Sequence, residues 1–291
     1  MSGIESPRIV ALLRAALGTR GSRLAAAVLL AFVLTALGAR YIAPHDPNAQ
    51  PDIVLGKSLP PSAAHPLGTD QASRDVLSRV IWGAQVSLGV AAGSVLLAIT
   101  LGASWGAVAG FAGGWADAVM MRVVDAVLSV PRLLLLIVLV ASRPDEPLSV
   151  GGIILLLGLT GWPATSRIVR AEVRALRERE FVLAARAIGV PAWRILLVHV
   201  MPGVVPQILV AATLAFATVI PLEAGLAFLG LGVPTPTPSW GNIIRDGAEH
   251  PEVTWWLVFF PGLAIVCTVL AVNAIGDRLR EAADPRQLPL Q

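Results

Sequence analysis

The sequence predicts an all-α polytopic membrane protein with six transmembrane helices. Three observations predict it. Of its 291 residues, 55% are hydrophobic and 14% charged, too few charges for a soluble chain of this length. Apolar runs near 20 residues long recur along it, each able to cross a hydrocarbon core of about 30 Å. The arginines divide unevenly between the segments joining those runs, and that asymmetry sets orientation. No soluble domain, low-complexity tail or internal repeat is visible.

Residues 1–23 are a basic N-terminal segment with Arg8, Arg14, Arg20 and Arg23. The first span covers 24–43, with Arg40 and Tyr41 at its outer end. Its apolar run is long for a signal peptide and no A-x-A site follows, so it reads as uncleaved. Residues 44–80 are polar and turn-rich, an exposed loop. The second span, Leu88–Ala112, carries Gly89, Gly93, Ala98, Gly102 and Gly106, small residues that let membrane helices approach closely. The third span is 116–141 and a short loop covers 143–147. The fourth, 148–165, is expected to be interrupted near Trp162-Pro163.

Residues 167–202 form the longest polar segment. It reads as two short helices, the first from Glu172 to Ile188, meeting at Gly189-Val190-Pro191. Gly189 suits the left-handed residue after a helix, Pro191 the first turn of the next, and Pro202 the boundary with the following apolar run. The fifth span, 203–230, contains Pro206 and Pro221. A second exposed loop, 231–254, leads to the sixth span, 255–275, whose Trp255 and Trp256 mark an interface. A charged tail, 277–291, closes the chain. With the N-terminus cytoplasmic, 15 basic residues fall on inside segments and 6 on outside segments, placing both termini inside.

Most other patterns exclude chemistry. Gly56-Lys57-Ser58 imitates the end of a phosphate-binding loop, but Pro51 stands where that loop needs Gly. His45, His65, His199 and His250 show no metal-ligand spacing, so no metal site is expected. Cys267, the one cysteine, reads as a small buried hydrophobe. No hydrolase string is present. The charges in or near spans are Arg122, Asp125, Arg132 and Glu223. Each is costly at the bilayer centre and is expected to face protein or water. Arg122 and Asp125, at i and i+3, are expected to pair, and Glu223, after Pro221, to face a subunit interface. Arg132 either lines a pathway or pairs with an acid of a neighbouring subunit. Arg167, Arg170, Arg174 and Arg177 recur at helical spacing as a basic stripe, an anchor to anionic headgroups or a docking surface for a soluble partner.

Glu180, Phe181, Val182, Ala184, Ala185, Arg186, Ala187 and Gly189 fit the pattern E-[YF]-V-x-A-A-R-A-x-G, with His199 and Pro202 at its close. Leu183 and Val190-Pro191 depart from the wider motif. HPLGTDQASRDVLSRVIWGAQVSL (65–88) and FLGLGVPTPTPSWGNII (228–244) add two longer strings, with Ser73 and Gln85 as departures. Together these resemble permease subunits of bacterial ABC importers of the peptide/nickel family, in the dipeptide/oligopeptide branch. The polar segment is similar to that family's EAA loop.

The resemblance implies a type I ABC importer permease fold with a core domain over 81–276. It implies a bacterial cell-membrane location, a sister permease, two ATPase subunits carrying ATP and Mg, and an extracytoplasmic substrate-binding protein. It implies no catalytic residue, cofactor or nucleic-acid partner for this chain. Glu180, Phe181, Ala184, Ala185, Arg186, Gly189 and Pro202 would couple to the ATPase, with Ala184 and Ala185 both seated in its groove. Glu223, Asp125 and Arg132 are pathway or gating candidates. Peptides are the expected cargo, with glutathione and nickel chelates as alternatives. A proton-coupled secondary transporter using Glu223 or Asp125 is the competing class, but such proteins often show internal repeats.

Overall fold

The computed structural model describes residues 17–142 and 148–283. The expected loop at 143–147, most of the tail, and Arg8, Arg14 and Arg286 lie outside the described residues. Eleven α-helices fill the described residues: α1 (Arg20–Leu37), α2 (Ala39–Ile42), α3 (Val76–Ala112), α4 (Gly114–Leu128), α5 (Arg132–Ala141), α6 (Val150–Arg177), α7 (Glu180–Ala187), α8 (Ala192–Arg194), α9 (Met201–Phe228), α10 (Trp240–Ala248) and α11 (Trp255–Ala283). A π-helical turn, Ile195–Val200, joins α8 to α9.

Five continuous helices are long and apolar enough to span a membrane: α1, α3, α6, α8 through α9, and α11. α4 and α5 together are also long and apolar enough for a sixth, but they form a pair bent by 74°. The unbroken third span expected over 116–141 is therefore corrected. Pro131 has no N–H to give the helix and its ring disfavours helical backbone at Val130.

Other boundaries also move. α3 begins at Val76, inside the expected loop, because Asp75 caps it by accepting the Ser78 N–H at 2.8 Å. α6 is not interrupted at Pro163 but runs 28 residues to Arg177. Membrane helices tolerate proline where neighbouring groups satisfy the freed backbone. Arg132 of α5 donates to the Leu157 carbonyl of this helix at 2.7 Å.

α3 and α6 pack most intimately. Gly102, Gly106 and Gly110 lie one turn apart on α3 and face the α6 backbone. A Cβ at Gly102 would stand 2.6 Å from the Trp162 carbonyl oxygen, and one at Gly110 2.8 Å from that of Arg170. The close approach is what small residues at four-residue spacing allow. Leu88, Leu136, Ile153, Leu157, Ile220 and Trp240 form the main core. The α1 and α11 surfaces expose Leu30, Leu34, Leu263 and Leu270, as lipid-facing helices do.

Candidate functional site

At the α7 end of the bundle, the arginine stripe is engaged within the chain. Arg170 pairs with both carboxylate oxygens of Asp117, its Nη2 standing 2.6 Å from Oδ2. Arg174 approaches the same carboxylate at 3.8 Å. Arg177 donates to the Phe111 carbonyl at 3.0 Å, satisfying a terminal carbonyl of α3. Arg167 pairs with Asp125, which corrects the expected Arg122–Asp125 pair: α6 runs alongside α4 and brings a long cationic arm to it. The stripe thus clamps α6 to the α3–α4 corner, an internal role that neither reading of it anticipated.

α6 ends at Arg177, a turn at Glu178–Arg179 follows, and α7 begins at Glu180. The single helix expected from Glu172 to Ile188 is thus two. Gly189, at φ +77°, takes the left-handed conformation that reverses the chain, and open space surrounds the position of a Cβ there. The helix after it does not stop at Pro202. That proline lies in the first turn of α9, directly after the π-helical turn.

α7 divides its residues between two faces. Val182 and Ala185 are buried with Val169, Val173, Ile195, Val200 and Val204. Glu180, Phe181, Ala184 and Arg186 face outward, and the Arg186 guanidinium lies 5.5 Å from the centroid of the Phe111 ring. Ala185 therefore does not share an outward face with Ala184: the α-helical step of about 100° turns it into the chain's own core. The outward surface is apolar for a charged loop, with Phe181 50%, Trp193 65% and Ile188 81% exposed.

The pathway candidates lie elsewhere. Glu223 is fully buried within this chain, which corrects its expected place at a subunit interface. Ser87 donates to its Oε2 at 3.2 Å and accepts the Trp240 N–H at 3.1 Å. The carboxylate thus holds α9 to α3 and to the start of α10. Pro221 does not break α9, so the turn of the helix still directs Glu223 inward. Arg132 meets α6 rather than an acid, through the Leu157 carbonyl and the Thr160 hydroxyl, the latter at 3.3 Å.

The opposite end holds a charge network that sequence reasoning missed. Fully buried Arg79 pairs with Asp70 and stands 3.3 Å from Asp246. Arg74 reaches Asp70 at 2.6 Å and Asp246 at 3.3 Å. Burial pushes the Asp246 carboxyl above the usual range, against the pull of Arg79 and Arg74. With the Trp256 indole N–H donated to the Thr69 carbonyl at 3.0 Å, the network ties the loop before α3 to α10 and α11. Asp70 and Arg74 at i, i+4 were its only local signal; the contribution of Asp246, from far along the chain, left none.

The histidines show no metal-ligand spacing along the sequence, but the fold brings two of them to one carboxylate. His45, His65 and Asp75 bring their ligand atoms within 4.8 Å of one another, although 30 residues separate the first from the last. Burial raises the Asp75 pKa, but hydrogen bonds from His65 and Ser78 and the charge of His45 outweigh it, leaving the carboxyl below its ordinary value.

A bundle of membrane-crossing helices with an amphipathic elbow at one end defines a multi-pass transport permease component. Residues 98–288 match the family described as binding-protein-dependent transport system inner membrane component, and the chain belongs to that family. It is 38% identical over 289 residues to a Brucella suis protein described as a peptide transport system permease, covering 98% of this chain and 95% of that one. It is 39% identical over 235 residues to the Bacillus subtilis oligopeptide transport system permease protein OppC, covering 80% and 75%. In fold it is similar to inward-facing structures of the MetNI methionine ABC transporter. One has TM-score 0.58 and 18% identity, over 72% of this chain and 98% of the other; the second has TM-score 0.56. The fold is that of a type I ABC importer permease.

Proposed function

We propose that this chain is a permease subunit that, with a sister permease, forms the translocation pathway of an ATP-driven peptide importer in the bacterial cell membrane. The observation that carries the reading is the two-faced elbow at α7. One face is locked into the permease core by Val182 and Ala185, and the other leaves Phe181, Ile188 and Trp193 uncovered. An apolar patch on a charged, membrane-flanking loop fits a protein partner. Two ATPase subunits, holding ATP and Mg on their own residues, are that partner class, and an extracytoplasmic substrate-binding protein delivers cargo at the opposite end. The peptide cargo rests on the described relatives, one of them similar over nearly the whole chain. On this reading the chain contributes no catalytic group or cofactor, and the arginine asymmetry supports a cytoplasmic position for α7 and both termini.

In this mechanism Glu180, Phe181, Ala184 and Arg186 contact the ATPase. Ala185 and Pro202 fix the elbow to the spans, and Gly189 sets its reversal. Closure of the ATPase pair on ATP displaces α7. Its buried face passes the displacement to α6, and the arginine clamp carries it to α3 and α4. Asp125 belongs to that clamp through Arg167. Arg132 holds the bent α4–α5 pair to α6, and Glu223 holds α9 to α3 and to the start of α10, so these charges serve gating by bracing moving parts.

The test is purification of the complex around this chain, followed by uptake in proteoliposomes with its binding protein. Co-purifying ATPase subunits and ATP-dependent uptake of peptides, in competition with glutathione and nickel chelates, is the expected result. Transport by the isolated chain without ATPase subunits overturns the reading.

A further inference from the structure

The end of the bundle opposite α7 carries a group of side chains that the transport mechanism does not use. His45 follows α2, His65 lies in the loop before α3, and Asp75 caps α3. Three separate segments thus converge on one point. The His65 Nδ1 is 2.9 Å from Asp75 Oδ1, and the His45 Nδ1 is 3.6 Å from Asp75 Oδ2. The imidazole rings stand 5.1 Å apart between centroids. We propose that His45, His65 and Asp75 form a binding site for one divalent transition-metal ion of the Zn2+ class.

Chemistry selects that class. Two imidazoles and one carboxylate make a mixed nitrogen–oxygen set, suited to zinc and its neighbours and poor for Mg2+ or Ca2+, which favour oxygen-rich cages. Three protein ligands with a remaining position for water or an external ligand is a known zinc arrangement. Bonds of 2.0–2.1 Å in a tetrahedron place ligand atoms about 3.3 Å apart. The ligand atoms of all three residues lie within 4.8 Å of one another.

The surroundings hold the ligands in place. Ser78 donates both its backbone N–H, at 2.8 Å, and its hydroxyl, at 2.7 Å, to Asp75 Oδ2. The same hydroxyl oxygen accepts the backbone N–H of His45 at 3.0 Å. One serine therefore fixes the carboxylate and the backbone of a histidine ligand together, the supporting role that outer groups play around bound metals. Asp75 is almost fully buried, while the His45 side chain is 45% exposed. His45 also lines an open cavity of about 620 Å3, which gives an ion a way in from solvent. Arg40 and Asp46 line that cavity too, opposite charges that offset one another beside the site. An ion held here cross-links the end of α2, the intervening loop and the start of α3. It would order the long loop beyond what its hydrogen bonds achieve, since metal binding to a folded arrangement adds directly to its stability.

The test uses the full-length chain in detergent, with any affinity tag removed and metals stripped by chelation. Zn2+ is titrated by calorimetry, and Co2+ serves as the spectroscopic probe, because imidazole–carboxylate coordination gives visible absorption bands. The expected result is one Zn2+ per chain, displaceable cobalt bands, and slower proteolysis of the loop 44–75 when zinc is present. His45→Ala keeps the backbone bond to Ser78, and Asp75→Asn still caps α3, so both variants should fold. Each should lose the cobalt bands and the zinc-dependent protection of the loop. Absence of stoichiometric Zn2+ binding by the wild-type chain overturns the proposal and leaves a hydrogen-bonded cap. Unchanged Zn2+ binding in the double variant His45→Ala/His65→Ala overturns it equally, by placing the ion elsewhere.

Discussion

Arg170 of α6 grips Asp117 of α4 with both prongs of its guanidinium, Nη2 lying 2.6 Å from Oδ2. The acid is almost completely buried and the arginine about one quarter exposed. Two-pronged arginine–carboxylate pairs add fixed geometry to their strength. This pair sets the angle at which the α3–α4 corner meets the helix leading to the elbow. Asp117→Asn keeps the size and removes the charge. It should lower stability by about 1.5–3 kcal/mol, the range for a hydrogen bond to a charged group. Thermal unfolding of the purified chain in detergent measures it, and an unchanged midpoint would show that the clamp contributes nothing.

Neighbouring alanines of α7 should behave oppositely. Ala185 is packed against Val173 and Val200, so Ala185→Leu overfills a closed space and should cost about 1–3 kcal/mol. Ala184 faces outward, and Ala184→Leu should change stability by under about 0.5 kcal/mol. In the assembled importer the order inverts for function: Ala184→Leu should reduce uptake and separate it from ATP hydrolysis. Normal coupled uptake by the Ala184 variant would mean that no partner seats against that face.

Glu223 offers a separation of stability from function. Its Oε2 accepts from Ser87, while Oε1 has no partner among the described residues. Glu223→Gln can still meet Ser87 and removes a buried ionisable group, so the unfolding midpoint should hold or rise. Uptake should fall, because the tie from α9 to α3 and the start of α10 is altered without loss of assembly. Failure of the variant to assemble would instead make Glu223 a folding requirement.

Gly106 tests the α3–α6 seam. A Cβ there meets the Ser166 backbone, which cannot move as a flexible side chain can. Gly106→Leu should prevent the two helices from closing and yield little folded protein, read by size-exclusion chromatography. Gly89, on the same helix, has open space at its Cβ position, and Gly89→Leu should express and elute normally.

The sequence by itself determined the class of structure, because bilayer thickness turns apolar length directly into candidate spans. It also determined the elbow's reversal at Gly189, since a left-handed residue between helices is a local requirement. The small residues of α3 announced a close helix contact, although not which helix would fill it.

What only the tertiary structure decided were the partners of charged groups and the faces of α7. Asp125 took Arg167 over Arg122, and Glu223 turned inward to Ser87. Ala185 went to the core while Ala184 stayed outside. The chain bends by 74° at the break before Arg132 yet runs through Pro163 as one helix, a difference that the presence of proline alone does not set. Long-range convergence is likewise invisible to local spacing. The Arg79–Asp246 pair joins α3 to α10 across most of the chain, and His45, His65 and Asp75 meet only when α2, a loop and the cap of α3 fold onto one another.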